Sequence, residues 1–136
     1  MGTSFQLRLL TPDQSVFDDQ VEAVLVPGEN GQFGVLTGHT KFVTTLVAGE
    51  LRYVQGGQSF KLAISGGFAE VSPAGVTVLA DTLERPEQID LARAETAKKE
   101  ALAALAKKAE LDETEALHQE ARLARSVNRI KLAQSS

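Results

Sequence analysis

Apolar and polar side chains alternate through Phe5, Leu7 and Leu9, through Leu51 and Tyr53, and through Phe60, Leu62 and Ile64. This two-residue period predicts short, half-buried strands. Val21 to Val26 is a β-branched, apolar run and predicts a strand buried on both faces. Turn residues punctuate these segments. Thr11-Pro12-Asp13 follows the first, Gly56-Gly57 separates the second and third, and Ser72-Pro73-Ala74-Gly75 joins Phe68 to Val71 with Val76 to Ala80. Asn30-Gly31 predicts a type I′ turn into a strand from Gln32 to Leu36, because both residues tolerate positive φ. Asp18-Asp19 reads as a solvated turn. So many short segments predict an antiparallel β-sandwich, or flattened barrel, over residues 1–86.

After Pro86 the period changes to that of a helix. Leu91, Ala94, Lys98, Ala101, Leu102 and Leu105 fall on one face of a helix starting near Asp90, with Lys107-Lys108 at its C-terminal end, where cations suit the helix dipole. Asp112 followed by Glu115 predicts the capped start of a second helix. That helix carries Ala116, Leu123, Val127 and Ile130 on one side and Leu117, Ala121, Ala124 and Leu132 on another, so one side can meet the first helix and the other something else. Residues 87–136 are therefore expected to form an antiparallel helical hairpin, and the whole chain an α+β protein in two parts.

Composition sharpens this division. All eleven glycines, all four prolines and all Phe and Tyr residues lie at or before Pro86. The second part is rich in Ala, Leu, Glu, Lys and Arg, the residues that cost a helix least. Residues 1–86 hold five Lys and Arg against nine Asp and Glu, and residues 87–136 hold nine of each, so neither part has the basic field of a nucleic-acid binder. The absence of cysteine excludes disulfides, thiolate metal sites and thiol catalysis. No 18-residue apolar run or targeting segment stands out, so membrane association is expected only through another protein.

Enzyme signatures are sparse. Gly28, Gly31 and Gly34 match neither the dinucleotide fingerprint nor a P-loop, and read as turn and bulge glycines. Ser65-Gly66-Gly67 lacks the preceding glycine of a nucleophile elbow. His39 and His118 lie in different parts and lack close-spaced metal partners; His39 reads as a hydrogen-bonding loop residue, with imidazole acid–base chemistry the alternative. His118, Arg122, Arg125 and Arg129, at i, i+4, i+7 and i+11, form a basic stripe on the second helix. In an antiparallel hairpin Arg125 and Arg129 approach Asp90 and Arg93. That arrangement is either an anion pocket or a solvated face balanced by Glu95, Glu115 and Glu120.

Gly31-Gln32-Phe33-Gly34-Val35-Leu36-Thr37-Gly38-His39, Ile64-Ser65-Gly66-Gly67-Phe68-Ala69-Glu70-Val71 and Val76-Thr77-Val78-Leu79-Ala80 resemble segments of the epsilon subunit of bacterial and chloroplast F-type ATP synthases. Ile89-Asp90-Leu91-Ala92-Arg93-Ala94 matches that family's I/L-D-x-x-R-A pattern. The resemblance spans essentially the whole chain. It implies a non-catalytic rotor subunit whose β-sandwich sits against the gamma subunit and the membrane c-ring, peripheral on the cytoplasmic face of the bacterial plasma membrane. The hairpin is implied to be mobile and, when extended into the alpha/beta catalytic head, to restrain ATP hydrolysis, with Arg122, Arg125 and Arg129 as inhibitory contacts. It also implies ATP as a regulatory ligand, no required cofactor, and a nucleotide-contacting set of Glu84, Ile89, Asp90, Arg93, Ala94, Arg125 and Arg129. A free-standing nucleotide-binding sensor is the alternative. Two positions depart from the family: Thr37 stands where proline is usual, and Lys99-Glu100 stands where ATP-binding members carry a further arginine. A carboxylate there repels phosphate.

Overall fold

The computed structural model describes residues 4–35 and 41–135, so Leu36, Thr37, Gly38 and His39 lie outside the described residues. The chain divides between Arg85 and Pro86 into two units. In the first, β1 (Phe5–Leu10) buries Phe5, Leu7 and Leu9 and turns Arg8 outward, as the alternation predicts. The strands that follow are β2 (Ser15–Val21), β3 (Ala23–Gly28), β4 (Gly31–Val35), β5 (Phe42–Gln55), β6 (Gln58–Ser72), β7 (Gly75–Ala80) and β8 (Leu83–Glu84). They hydrogen-bond in the order β2-β1-β7-β6-β5-β3-β4, with β8 paired to β6. Every pairing is antiparallel except β1 with β7, which is parallel.

Several local expectations are corrected. Asp18-Asp19 is not a turn: both residues lie in β2, opposite Arg8 and Leu7 of β1, and Arg8 Nε stands 3.6 Å from Asp18 Oδ1. The run Val21 to Val26 is not one strand. It breaks at Glu22, where the chain leaves β1 and joins β5 through β3. Glu22 makes that corner: its N–H donates to Val54 O at 2.8 Å, and its carboxylate accepts from the N–H groups of Gly56 and Gly57, each at 3.1 Å. The two-residue loop after β3 is Glu29-Asn30, and Asn30 has no positive φ, so this is no type I′ turn. The paired positive φ angles occur instead at Gly56 and Gly57, between β5 and β6.

The segments Phe60–Ile64 and Phe68–Val71 belong to one strand, β6, which bends rather than ends at its glycines. Residues 63–64 of β6 pair with β8 and residues 67–72 with β7, while β5 runs along both stretches. Gly67, at φ 144°, permits this change, because a Cβ there would sit 2.0 Å from the carbonyl oxygen of Leu79. Ser65 Oγ accepts from the Thr82 N–H at 2.9 Å and fastens the bend, a structural role for the serine of Ser65-Gly66-Gly67. The core comprises Leu7, Leu9, Val21, Val26, Leu51, Leu62, Ile64, Val71 and Val78 with their neighbours. Tyr53 belongs to it, its ring 4.5 Å from Phe17 and 5.1 Å from Phe60 by centroids.

The second unit opens with a 3₁₀ turn at Pro86–Gln88, followed by α1 (Leu91–Ala106) and α2 (Glu113–Ser135), which pack against each other. Asp90 caps α1, its Oδ1 accepting from the Arg93 N–H at 3.0 Å. Asp112 caps α2 in the same way, accepting from the Glu115 N–H at 2.7 Å. Ala94, Ala101 and Ala116 are buried, with Leu105, Leu123 and Ile130 partly so. Leu102 and Val127, expected on the packing faces, are exposed: the covered stripe of α1 runs through Ala94, Ala97, Ala101 and Ala104, and that of α2 through Ala116, Leu123, Ser126 and Ile130. Of the second apolar side expected on α2, Leu117, Ala121 and Ala124 are exposed and Leu132 is buried.

Candidate functional site

Two surfaces stand out, one on each unit. On the sheet, strand register sets side chains from four strands in rows. Thr45 of β5, Phe68 of β6, Leu79 of β7 and Leu10 of β1 are successive cross-strand partners and share one face. Val43 and Val47 flank Thr45 at two-residue spacing on that face. Phe68 is 54% exposed, Leu79 53% and Val43 62%. The next row is polar: Glu70, Thr77, Arg8 and Asp18 follow one another across β6, β7, β1 and β2. The outer face is therefore an apolar strip with a polar border beside a core that is already complete, the form of a protein-binding surface.

On the hairpin, Arg122 Nη2 of α2 reaches Glu100 Oε1 of α1 at 2.5 Å, and near the connection Lys108 Nζ meets Glu120 Oε1 at 3.3 Å. These pairs fix the antiparallel register. Arg93 precedes Glu100 by seven residues and Arg129 follows Arg122 by seven, so both arginines fall on the Glu100–Arg122 flank, two turns toward the open end. Arg125, one turn beyond Arg122, lies along the same stripe and is half-buried, as are Arg122 and Arg129. The structure thus brings Asp90, Arg93, Arg125 and Arg129 to one end of the hairpin, beside Ile89, whose N–H donates to Pro86 O. Ala94 is buried, and Asp90 directs an oxygen to the α1 backbone. Glu84 belongs to the sheet unit, on β8 opposite Ala63. His118 is exposed.

Glu120, expected among the residues balancing the arginine stripe, pairs with Lys108. The Glu100–Arg122 pair was not foreseeable from spacing within either helix. Among the described residues, no group of three or more His, Cys, Asp or Glu is placed to hold a metal ion, and no helix is long and apolar enough to cross a membrane.

An exposed apolar strip on a strand-built domain, followed by a separate helical hairpin with an arginine stripe, has the build of a two-part binding protein. Comparison with known proteins gives the particular family. The ATP synthase, Delta/Epsilon chain, beta-sandwich domain family matches residues 4–86. The chain is 43% identical to the ATP synthase epsilon chain of Desulforamulus reducens over 135 residues, covering 98% of this chain and 100% of that one. It is 46% identical to that of Koribacter versatilis over 101 residues, 74% of this chain and 71% of the relative. Among solved structures, a chain of the Euglena gracilis mitochondrial ATP synthase, in a complex of OSCP, F1 and c-ring, superposes with TM-score 0.79 at 30% identity, covering 92% of this chain and 78% of that one. A chain from the central stalk and c-ring of the Tetrahymena thermophila mitochondrial enzyme shares the fold, with TM-score 0.53 at 12% identity over 63% of this chain and 69% of that one. The chain belongs to the ATP synthase epsilon chain family, and is a subunit of that complex rather than itself a catalyst.

Proposed function

We propose that this subunit is part of the rotor of a proton- or sodium-translocating ATP synthase, seated by its sheet domain against the gamma subunit and the c-ring, and that its hairpin restrains ATP hydrolysis. The observation that carries the reading is the outer apolar strip of Phe68, Leu79 and Val43. Side chains of this size left in water beside a finished core are worth burying against a partner, each contributing about 1.5–3 kcal/mol when fully covered. The polar row of Glu70, Thr77, Arg8 and Asp18 beside them supplies a rim that fixes orientation. In this reading the subunit is peripheral, on the cytoplasmic face of the bacterial plasma membrane, and touches the membrane only through the c-ring.

The regulatory half of the reading rests on the arginines of α2. Desolvated pairs between guanidinium and carboxylate are strong and bidentate, so an extended α2 can grip an acidic segment of the alpha/beta catalytic head. ATP is the regulatory ligand of the folded hairpin, held at the Arg93, Arg125 and Arg129 end.

Two measurements test the reading. In co-purification with gamma and c-ring subunits, Phe68→Asp and Leu79→Asp in the full chain should each weaken association at least about tenfold; unchanged capture would refute the docking face. In a reconstituted enzyme, replacing Arg122, Arg125 and Arg129 together with Ala should raise ATP hydrolysis above wild type while assembly persists. An unchanged rate would refute the inhibitory role.

A further inference from the structure

The seam between α1 and α2 is built mainly from small side chains. Among the described residues its buried members are Ala94, Ala101, Ala116, Ser126 and Leu132, so four of the five remove little apolar area from water. Ion pairs that cross the seam therefore carry a larger share of its closure than they would across a leucine-rich interface. Lys108–Glu120 and Glu100–Arg122 are two such pairs. Lys108–Glu120 lies beside the connection, where the chain keeps the helices together in any case. Glu100–Arg122 lies within the helices proper, at 2.5 Å, with the Arg122 side chain 32% exposed and that of Glu100 58%. Of these two pairs, the second must break when the helices part.

We propose that Glu100–Arg122 is the closing latch of the hairpin. Glu100 holds α1 against α2 and, in doing so, occupies the guanidinium of Arg122. Arg122 becomes available to a carboxylate outside the hairpin only when the helices separate, so opening and exposure of the arginine are one event. This deepens the regulatory reading above and rests on it, but the latch itself is a property of the free chain and is tested there.

The absence of cysteine allows spin labels to be placed cleanly at Ala92→Cys on α1 and Lys131→Cys on α2, both exposed and near the open end. Electron–electron double resonance on the full chain then reads the populations of closed and open hairpins. Glu100→Gln should raise the open-to-closed ratio about two- to fivefold, the size expected of one partly exposed ion pair. Added salt should move the wild type in the same direction and Glu100→Gln much less. The exchanged pair Glu100→Arg with Arg122→Glu should restore the closed population. Identical distance distributions for wild type and Glu100→Gln would overturn the latch. So would a loss of helicity in Glu100→Gln, since the latch acts between helices and not within α1. Neither result bears on capture by gamma and c-ring subunits, so failure of the latch and failure of the rotor reading are distinguishable.

Discussion

Arg85 donates from Nη2 to the hydroxyl of Tyr53 at 3.0 Å, with its guanidinium carbon 5.9 Å from the centre of the same ring. The last residue of the sheet unit is thereby tied to the C-terminal part of β5, and through Tyr53 to Phe17 and Phe60. Because Tyr53 is buried, its hydroxyl needs a partner there, and Arg85 supplies one. Tyr53→Phe should cost about 0.5–1.5 kcal/mol in urea unfolding of the sheet domain, whereas Tyr53→Ala should cost about 3–5 kcal/mol through loss of the ring. A double-mutant cycle with Arg85→Ala should show coupling; additive effects would mean that the contact contributes nothing.

Truncation after Pro86 is the second test. The core of the first unit is closed by its own strands, and the division of the chain falls at Arg85 and Pro86. A chain ending at Pro86 should therefore fold to a β-rich domain by circular dichroism and retain binding to the gamma subunit. An unfolded product, or a folded one that no longer binds gamma, would contradict a stalk contact confined to the sheet domain.

Much of this fold was legible because burial imposes a period. Phe5, Leu7 and Leu9 could only be a strand edge of a core, and Asp90 and Asp112 announced their helices by capping chemistry. What escaped were features set by topology. β2 carries exposed Asp18, Asp19 and Gln20 at the edge of the sheet, so its ladder to β1 leaves no clean alternation to read. The run Val21 to Val26 is apolar on both sides of a corner, and only the long-range partners Phe5 and Val54 show that it turns at Glu22. Phe60–Ile64 and Phe68–Val71 read as separate segments with Gly66-Gly67 between them, and only the pairing of β6 with both β7 and β8 shows that they form one bent strand. The site divided in the same way: the I/L-D-x-x-R-A segment and the basic stripe stood in the sequence, while the pairing of Glu100 with Arg122 needed the register of two helices.

Gln119 offers a test of how the hairpin is balanced. Its amide oxygen is buried and, among the described residues, no group donates to it. Spacing puts Gln119 on the same side of α2 as Ala116 and Leu123, at one turn from each. A buried acceptor left without a donor costs about 1–3 kcal/mol. Gln119→Leu, similar in size and without the polar group, should stabilise the hairpin by about 1 kcal/mol, seen as a higher helical melting temperature at 222 nm. A lower melting temperature would show that the amide is satisfied in solution.

Nucleotide binding is the last test, and it isolates the basic end of the hairpin. Arg129 and Arg93 stand two turns from the Glu100–Arg122 pair on the same flank, and Arg125 lies between Arg122 and Arg129 along the stripe, so a triphosphate entering there meets guanidiniums from both helices. Asp90 keeps its Oδ1 on the Arg93 N–H and so holds the first turn of α1 in place. Arginines can neutralise phosphates by themselves, so binding should not require a divalent metal. Glu100, paired rather than free, lowers the field at the site, and affinity should fall short of that of relatives with arginine at this position. Because a ligand moves a two-state equilibrium only by its differential affinity, ATP should also enrich the closed hairpin in proportion to its preference for that state. In isothermal titration of the full chain, Arg125→Ala should weaken ATP binding about 10- to 100-fold, as expected for loss of about 1.5–3 kcal/mol of charge-assisted hydrogen bonding. No heat with the wild type up to millimolar ATP, or equal affinity in both proteins, would falsify this site and leave the assembly role of the sheet domain untouched.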